Sequence, residues 1–185
     1  MPAERDQLLA QLDFRWQAVA RPRLEGLTDD EYLWEPVPGC WNVRSLAGRH
    51  VVEGQWEGGF PRESPPPFTT IAWRVCHLGA GLAMRHNHHF GDRTLTADSL
   101  WERLGVPATA AAGIAFLERW QSAWRDAIAA QPDGFIDRPS DGPPGSIDGR
   151  FPFADVILHV TAEVIHHGAE IALLRDLYRA RREIE

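Results

Sequence analysis

The sequence predicts an all-α fold, an antiparallel four-helix bundle with long connecting loops. Four long segments carry apolar residues at intervals of three and four, which is the spacing of one helix face. Almost no segment alternates strictly between apolar and polar residues, and no stretch of the chain repeats another. Since an amphipathic helix must bury its apolar face against another element, these observations favour helices packed on helices.

The first half of the chain holds one long helix and a long loop. The helix runs from about Ala3 to Ala20, and we expect Pro22 to end it because proline lacks a backbone donor. Thr28 then begins a short helical turn, and Glu31 completes a capping-box pattern with it. Residues 36–68 are so rich in proline and glycine that we predict mostly loop, and so long a loop is usually functional or an insertion.

The second half holds the other three long helices. The second begins at Thr69 or Thr70, either of which can cap it, and stops at Gly91. A short helix follows within residues 94–104, and the third long helix covers about residues 107–130. Residues 132–152 are predicted as loop, and the last helix extends from about Phe153 to Ala180.

Composition favours a globular chain of one domain over residues 1–185, with 44% hydrophobic and 24% charged residues. The net charge of −7 gives no general attraction to nucleic acid or to an anionic membrane, so neither is an expected partner. No basic segment precedes an apolar signal stretch, and we expect a cytoplasmic protein. Cys40 and Cys76 have no metal-ligand spacing and are interpreted as free thiols.

Polar residues within the last helix are the first indication of a site. In the stretch E-V-I-H-H-G-A-E, Glu163 and His167 are four residues apart and share one helix face, where both side chains can reach a single ion. His159 with Glu163, and His166 with Glu170, have the same spacing. A surface hydrogen-bonded pair is the more common use of this spacing, and the helix by itself does not choose among these pairs.

A third ligand would have to come from another element. His77 lies in an apolar stretch of the second helix, although a histidine in that position is more often a core residue. His50, in the predicted loop, is a weaker candidate. His86, His88 and His89 lie too far around or along the helix to share an ion with His77, and we interpret them as the frayed, solvated end of that helix.

Three motifs resemble the DinB-like superfamily of DNA-damage-inducible-type proteins over nearly the whole chain: W-E-P-V-P-G-C-W-N-V-R, T-I-A-W-R-V-C-H-L-G and E-V-I-H-H-G-A-E-I-A-L-L-R-D-L-Y. The resemblance implies a four-helix bundle and a divalent metal held by His77, Glu163 and His167. Most members have histidine where this chain has Glu163, and the His, Glu, His set is similar to the mycothiol-dependent maleylpyruvate isomerase branch. The spacing that follows Trp41 in the family motif keeps His50 as the alternative to His77.

Two histidines and one carboxylate leave a coordination position for a reactant, as in catalytic rather than structural zinc sites. Zinc is the metal that the branch favours, while nickel, iron and manganese suit the same ligands. The first functional hypothesis is a metal-dependent thiol S-transferase that activates mycothiol or another low-molecular-weight thiol for attack on an electrophile. The alternatives are a metal-dependent hydrolase that activates water and a non-catalytic, metal-stabilised binding protein.

Neighbouring residues are candidates for supporting roles. His166 and Glu170 are placed to orient the ligands, and Arg150 could bind an anionic substrate from the loop before the last helix. Solvent-facing side chains are the simpler interpretation of all three. The expected partner is a small-molecule substrate, and the family resemblance is compatible with a homodimer.

Overall fold

The computed structural model describes residues 3–54, 67–142, 149 and 151–184. Its α-helices and its one pair of strands in that part of the chain are, in chain order, α1 (Glu4–Phe14), α2 (Asp29–Tyr32), β1 (Val43–Leu46), β2 (Arg49–Val52), α3 (Ile71–Phe90), α4 (Leu100–Leu104), α5 (Ala110–Ala129) and α6 (Phe153–Ile184). The prediction of an all-α fold is therefore confirmed. No helix of the described residues combines the length and the apolar character needed to cross a membrane.

The four long helices pack around one core, with α1 and α3 each lying against both α5 and α6. Contacts along the helices give their directions. Arg125 of α5 donates to Asp13 of α1 at 3.2 Å, and Arg5, near the start of α1, donates to Gln131, just past the end of α5, so this pair is antiparallel. The α3 and α6 pair is antiparallel as well, because Arg74 near the start of α3 meets Glu170, whereas His89 near its end meets Phe153, the first residue of α6.

The other two neighbouring pairs run parallel. Along α3 and α5, Gly79 lies beside Phe116 and His86 lies beside Trp120. Parallel neighbouring helices cannot be joined by a short turn, because the connection must run back along the length of the bundle. For a 20-residue helix that distance is about 30 Å. The connection between α3 and α5, residues 91–109, is long for this reason, and α4 lies within it. The prediction of an antiparallel bundle therefore holds for α1 with α5 and for α3 with α6, but not for the other two neighbouring pairs.

The first helix continues further than expected. After Phe14 the chain remains helical in a wider π-helical segment over Arg15–Ala20 and a 3-10 turn over Arg21–Leu24. The expectation that Pro22 ends the helix was wrong, because Pro22 lies in the first turn of that 3-10 segment, where its missing donor is not needed.

The N-terminus of α2 differs from the predicted capping box. Thr28 caps the helix as expected and accepts a hydrogen bond from the Glu31 amide at 3.2 Å. The Glu31 side chain turns into the core, where Arg175 of α6 donates to both of its carboxylate oxygens, at 2.7 and 3.1 Å. Glu31 therefore joins two elements of the fold rather than completing a local cap.

A β-hairpin lies within the segment predicted as mostly loop. Strands β1 and β2 pair antiparallel with Val43 opposite Val52, and Ala47 and Gly48 at the turn both have positive φ, 49° and 76°. This is the backbone geometry of the two-residue turns that fit the twist of a hairpin. The hairpin is joined to the start of α3 by backbone hydrogen bonds between Trp41 and Phe68 (2.9 Å) and between Thr70 and Trp41 (3.0 Å).

The start and end of α3 are those predicted. Thr70 caps the helix by accepting from the Trp73 amide at 3.2 Å, and Gly91 follows its last residue. Thr70 also donates its hydroxyl proton to Asn42 at 2.8 Å, which ties the cap to the residue preceding β1. The first turns of α3 are therefore fixed against the hairpin, and this places Trp73, Arg74 and His77 in the bundle.

Candidate metal centre

His77 of α3 meets Glu163 and His167 of α6 in the bundle interior. A potential ligand atom of each residue lies within 4.8 Å of those of the other two. The Glu163 carboxylate is 3.2 Å from Nε2 of His167 and 3.9 Å from Nε2 of His77. Ligand atoms on a tetrahedral zinc are about 3.4 Å apart, given bonds of about 2.1 Å. The three side chains therefore fit a divalent metal with little rearrangement, and they are the three that the resemblance implied.

His77 is held by packing. Its side chain is 8% exposed, and its ring stacks on that of Trp73 at a centroid distance of 4.9 Å and an interplanar angle of 11°. The His167 ring approaches it edge-on at 4.8 Å. Trp73 is itself fixed, because its indole Nε1 donates to the Glu53 carbonyl at 2.8 Å. The direction of the His77 ring is thus set by the junction of the hairpin and α3.

His167 is held by a carboxylate. Its side chain is 1% exposed, and its Nδ1 lies 2.7 Å from Oε2 of Glu170, one turn further along α6. An ionised carboxylate can only accept, so Nδ1 donates to Glu170, and in the metal-free protein Nε2 donates to the ionised Glu163 at 3.2 Å. A metal would take the place of the Nε2 proton while Nδ1 keeps donating to Glu170. Arg74 of α3 approaches the same Glu170 oxygen with its Nε at 3.0 Å. Glu170 thus selects the tautomer of His167 that a metal requires.

The two carboxylates of this site are ionised at neutral pH. Hydrogen bonding with His167 and with His77 holds the pKa of Glu163 far below its usual value, although burial opposes the charge. Burial also opposes the charge of Glu170, but the His167 hydrogen bond and the nearby Arg74 guanidinium outweigh it, so the pKa of Glu170 is lowered. Glu163 accordingly offers an anionic oxygen beside two imidazoles, a donor set suited to zinc and similar metals.

The remaining candidates lie around this centre or outside it. The His166 side chain is 65% exposed; its Nε2 lies 3.2 Å from Oε1 of Glu170, and its ring is 4.9 Å from that of His167. His159 is 4.0 Å from the other oxygen of Glu163. His50 is exposed on β2, where it pairs with Ser45. Arg150 lies outside the described residues.

The histidines at the end of α3 are not a frayed, solvated terminus, as the sequence suggested. The helix is regular through Phe90, and the ring of His89 is fully buried against Phe153 at 4.9 Å. His88 lies 3.1 Å and His89 3.9 Å from Asp141, a second cluster with potential ligands, but Asp141 is also paired with Arg93 at 2.7 Å. A guanidinium on the shared carboxylate makes an ion pair the simpler description of this second cluster.

Neither cysteine is placed to act as a nucleophile. Cys76, next to His77 in sequence, is fully buried on another face of α3, and burial raises its pKa to about 12. Cys40 is also buried, and burial raises the pKa of its thiol as well. Both thiols are therefore protonated at neutral pH, as expected of packed side chains.

Two clefts meet at His77. The larger, of about 240 Å³, is lined by the end of the hairpin, by α3 and by α4 with the residues before it: Val52, Glu53, Gly54, Trp73, His77, Ala97, Leu100 and Trp101. The narrower, of about 20 Å³, is lined by α3 and α6: His77, Leu78, Gly81, Leu82, Arg85, Val160 and Glu163. Both give small molecules a way to approach the candidate ligands.

Several residues of this site were not identified from the sequence. Arg74, Trp73, Arg85 and Trp101 each contact the candidate ligands or line a cleft beside them. Arg74 is three residues before His77 on the same helix, which is the only local indication of its position. Its role depends on Glu170, a residue of a different helix.

Comparison with known proteins gives one match. The family model of the DinB superfamily matches residues 11–171, a range that includes His77, Glu163 and His167. No curated protein and no solved structure matches the chain. The match covers most of the chain and agrees with the motifs and with the bundle that the structure contains. This chain belongs to the DinB superfamily.

Proposed function

We propose that this protein is a metal-dependent thiol S-transferase. His77, Glu163 and His167 hold a divalent metal, with zinc first in order of preference, and a low-molecular-weight thiol such as mycothiol is the co-substrate. The observation that carries the proposal is the convergence of two imidazoles and one ionised carboxylate, within 4.8 Å, beside two clefts. When bound there, the metal supplies the positive charge that lowers the pKa of a thiol toward neutrality.

The protein side chains prepare the donor atoms. Glu170 keeps the proton of His167 on Nδ1, and stacking on Trp73 limits the rotation of the His77 ring. Glu163, which is ionised, supplies the negative charge, and Arg74 balances the charge of Glu170. A site built in this way loses little side-chain entropy on binding, because both imidazoles are already ordered.

The state of the cysteines supports an external thiol. Cys40 and Cys76 are both buried, so neither thiol of the chain can reach a substrate in the clefts. In the proposed reaction the co-substrate thiol loses its proton to solvent water, its sulfur bonds to the electrophilic carbon, and the group displaced from that carbon leaves with the bonding electron pair. The larger cleft would receive the electrophile and leave the thiol near His77 and Glu163.

The first test measures metal content. Tag-free protein, expressed with added zinc, is analysed by plasma mass spectrometry beside His77→Ala and Glu163→Ala, with His166→Ala as the matched control on the exposed face of α6. We expect about one equivalent of metal in the parent and in the control, and its loss in the other two variants. If His77→Ala keeps its full metal content, another histidine must be the ligand, and His50 would be examined first.

The second test measures the reaction. The metal-loaded protein is incubated with a panel of thiols and electrophiles, and loss of free thiol is followed with and without protein. We expect thiol consumption that disappears after chelation and in Glu163→Ala. Substrate cleavage that needs the metal but no thiol would instead support a hydrolase, while metal that raises the melting temperature without any turnover would support a non-catalytic role.

A further inference from the structure

We propose that the larger cleft beside His77 is a subsite for an uncharged group of about one aromatic ring, and that Trp101 is its main specificity-determining residue. The assignment of this group to the electrophile depends on the proposed transferase function. The binding of the group in the cleft does not, because it follows from the lining, the charge and the size of the cleft.

Among the described residues that line the cleft, all but two are apolar. Trp73, Leu100, Trp101 and Val52 form most of its wall, with Ala97 and Gly54. Aromatic walls of this kind favour flat apolar ligands, since ring edges and faces can pack against the indoles. Trp101 is half-buried on α4 and is supported from behind by Phe116, at a ring distance of 6.0 Å.

The charge of the cleft disfavours anions. The first of the two polar lining residues, His77, faces the candidate metal. The second is Glu53, whose carboxylate accepts hydrogen bonds from the backbone N–H of Asn42 at 3.1 Å and from Nε of Arg44 at 2.9 Å. That carboxylate is balanced by Arg44, and no lysine or arginine is among the described residues that line this cleft. An anionic ligand would therefore be desolvated beside Glu53 without a compensating cation.

The narrow cleft has the opposite character. It contains Arg85, two helical turns from His77 on α3, together with Glu163. Its volume of about 20 Å³ accommodates little more than one water-sized group. Within the part of the chain that the structure describes, an anionic end of a substrate thus has a cationic lining residue on that side and not in the larger cleft, which is left for the uncharged part.

The size of the larger cleft limits the ligand. An apolar cavity of about 150 Å³ holds benzene, and drug-sized ligands occupy about 300 to 1,000 Å³. The 240 Å³ beside His77 therefore fits one ring with a small substituent. Because His77 forms part of the wall, that substituent lies next to one of the three candidate ligands, where an electrophilic carbon would have to be.

The test uses metal-free protein and three small probes. Benzyl alcohol is neutral and has a ring, benzoate has the same ring with a charge, and ethanol has no ring. Binding is followed by the proton–nitrogen NMR signals of the indole groups. We expect saturable shifts of the Trp73 and Trp101 signals with benzyl alcohol, at least about tenfold weaker binding of benzoate, and no saturable shift with ethanol.

Two variants and a control locate the binding. Trp101→Leu removes one aromatic wall, and Ala97→Phe fills the cleft from an exposed position that leaves the core unchanged. Both variants should weaken the binding of benzyl alcohol about tenfold. Trp34→Leu, which alters a tryptophan packed on Tyr178 at 5.6 Å and not part of the cleft, should leave the affinity unchanged.

Each outcome decides one of the two proposals. The subsite is refuted if benzyl alcohol causes no saturable shift, if benzoate binds equally well, or if neither Trp101→Leu nor Ala97→Phe weakens binding. The same proteins are then supplied with zinc, and their metal content is measured separately. Metal uptake with no benzyl alcohol binding leaves the transferase proposal standing without this subsite, whereas benzyl alcohol binding in a protein that takes up no metal supports the subsite and removes the transferase.

Discussion

Replacing Glu170 by glutamine tests whether the carboxylate behind His167 prepares the metal centre. The change keeps the shape of the side chain but removes the charge that accepts from Nδ1 of His167 at 2.7 Å and forms an ion pair with Arg74 at 3.0 Å. The amide can also donate, so a proton of His167 is no longer held on Nδ1. We expect metal to bind more weakly, because the tautomer that keeps its proton on Nδ1 and leaves Nε2 to the metal loses its preference.

The expected loss of metal affinity in Glu170→Gln follows from the geometry of the Glu170 contacts. Loss of a partner of this kind costs 10- to 100-fold in metal affinity, or about 1.4 to 2.8 kcal/mol. The Glu170 side chain is 30% exposed, so solvent screens part of the interaction and the lower end of that range, about tenfold, is the expected loss. Glu163→Ala, which removes a ligand, should have a much larger effect.

The assay is a competition titration of zinc against a coloured chelator near neutral pH. His166→Gln is the matched control, because His166 also contacts Glu170, at 3.2 Å, but from a side chain that is 65% exposed. His166→Gln should change the zinc affinity by no more than about twofold, as expected for an exposed pair. Equal affinities of the parent and Glu170→Gln, or a larger loss in His166→Gln, would refute the proposed role of Glu170.

Two further predictions concern buried groups. Arg175→Met removes the buried partner of Glu31, whose side chain is 4% exposed, and leaves it with Arg179, which is 3.8 Å away and 55% exposed. The free energy of unfolding measured in urea should therefore fall by about 3–5 kcal/mol, and adding Glu31→Gln should restore much of the loss. A fall below about 1 kcal/mol in the single variant would contradict this prediction. Burial raises the pKa of Cys76 from 9.0 to about 12, so the thiolate forms in the folded protein only as the pH rises toward that value. At pH near 9, iodoacetamide should therefore modify Cys76 only after unfolding, as measured by peptide mass spectrometry. Equal modification rates in folded and unfolded protein would show that Cys76 is not a buried, protonated thiol.

The elements that the sequence predicted well are those specified by local patterns. Helix α3 begins after Thr70 and ends before Gly91 because a hydroxyl cap and a glycine stop act within one turn of the helix. The β-hairpin was missed because its turn is Ala47–Gly48, which lacks the Asn-Gly or Asp-Gly pattern, and because proline and glycine surround it. Glu31 likewise matched a local capping pattern, although a distant arginine determines its conformation.

By itself, the sequence determined the helical bundle and the shared face of Glu163 and His167 on α6. Their four-residue spacing puts both on one face in any α-helix, so no tertiary information is required for that, although His159 with Glu163 and His166 with Glu170 have the same spacing. His77 was preferred to His50 because the loop position of His50 could not be placed and because of the resemblance between motifs. That His77 faces Glu163, while His50 lies exposed on β2, depends on how α3 is rotated and positioned against α6.

Tertiary packing alone decided the rest of the site. The contact of Arg74 with Glu170, the stacking of His77 on Trp73 and the cleft beside Trp101 each join segments far apart in sequence. Such contacts are set by helix directions and by the hairpin that fixes the start of α3, and no periodicity within one helix encodes them. The physical reason is that a helix face is a property of consecutive residues, whereas the alignment of two faces is a property of the whole core.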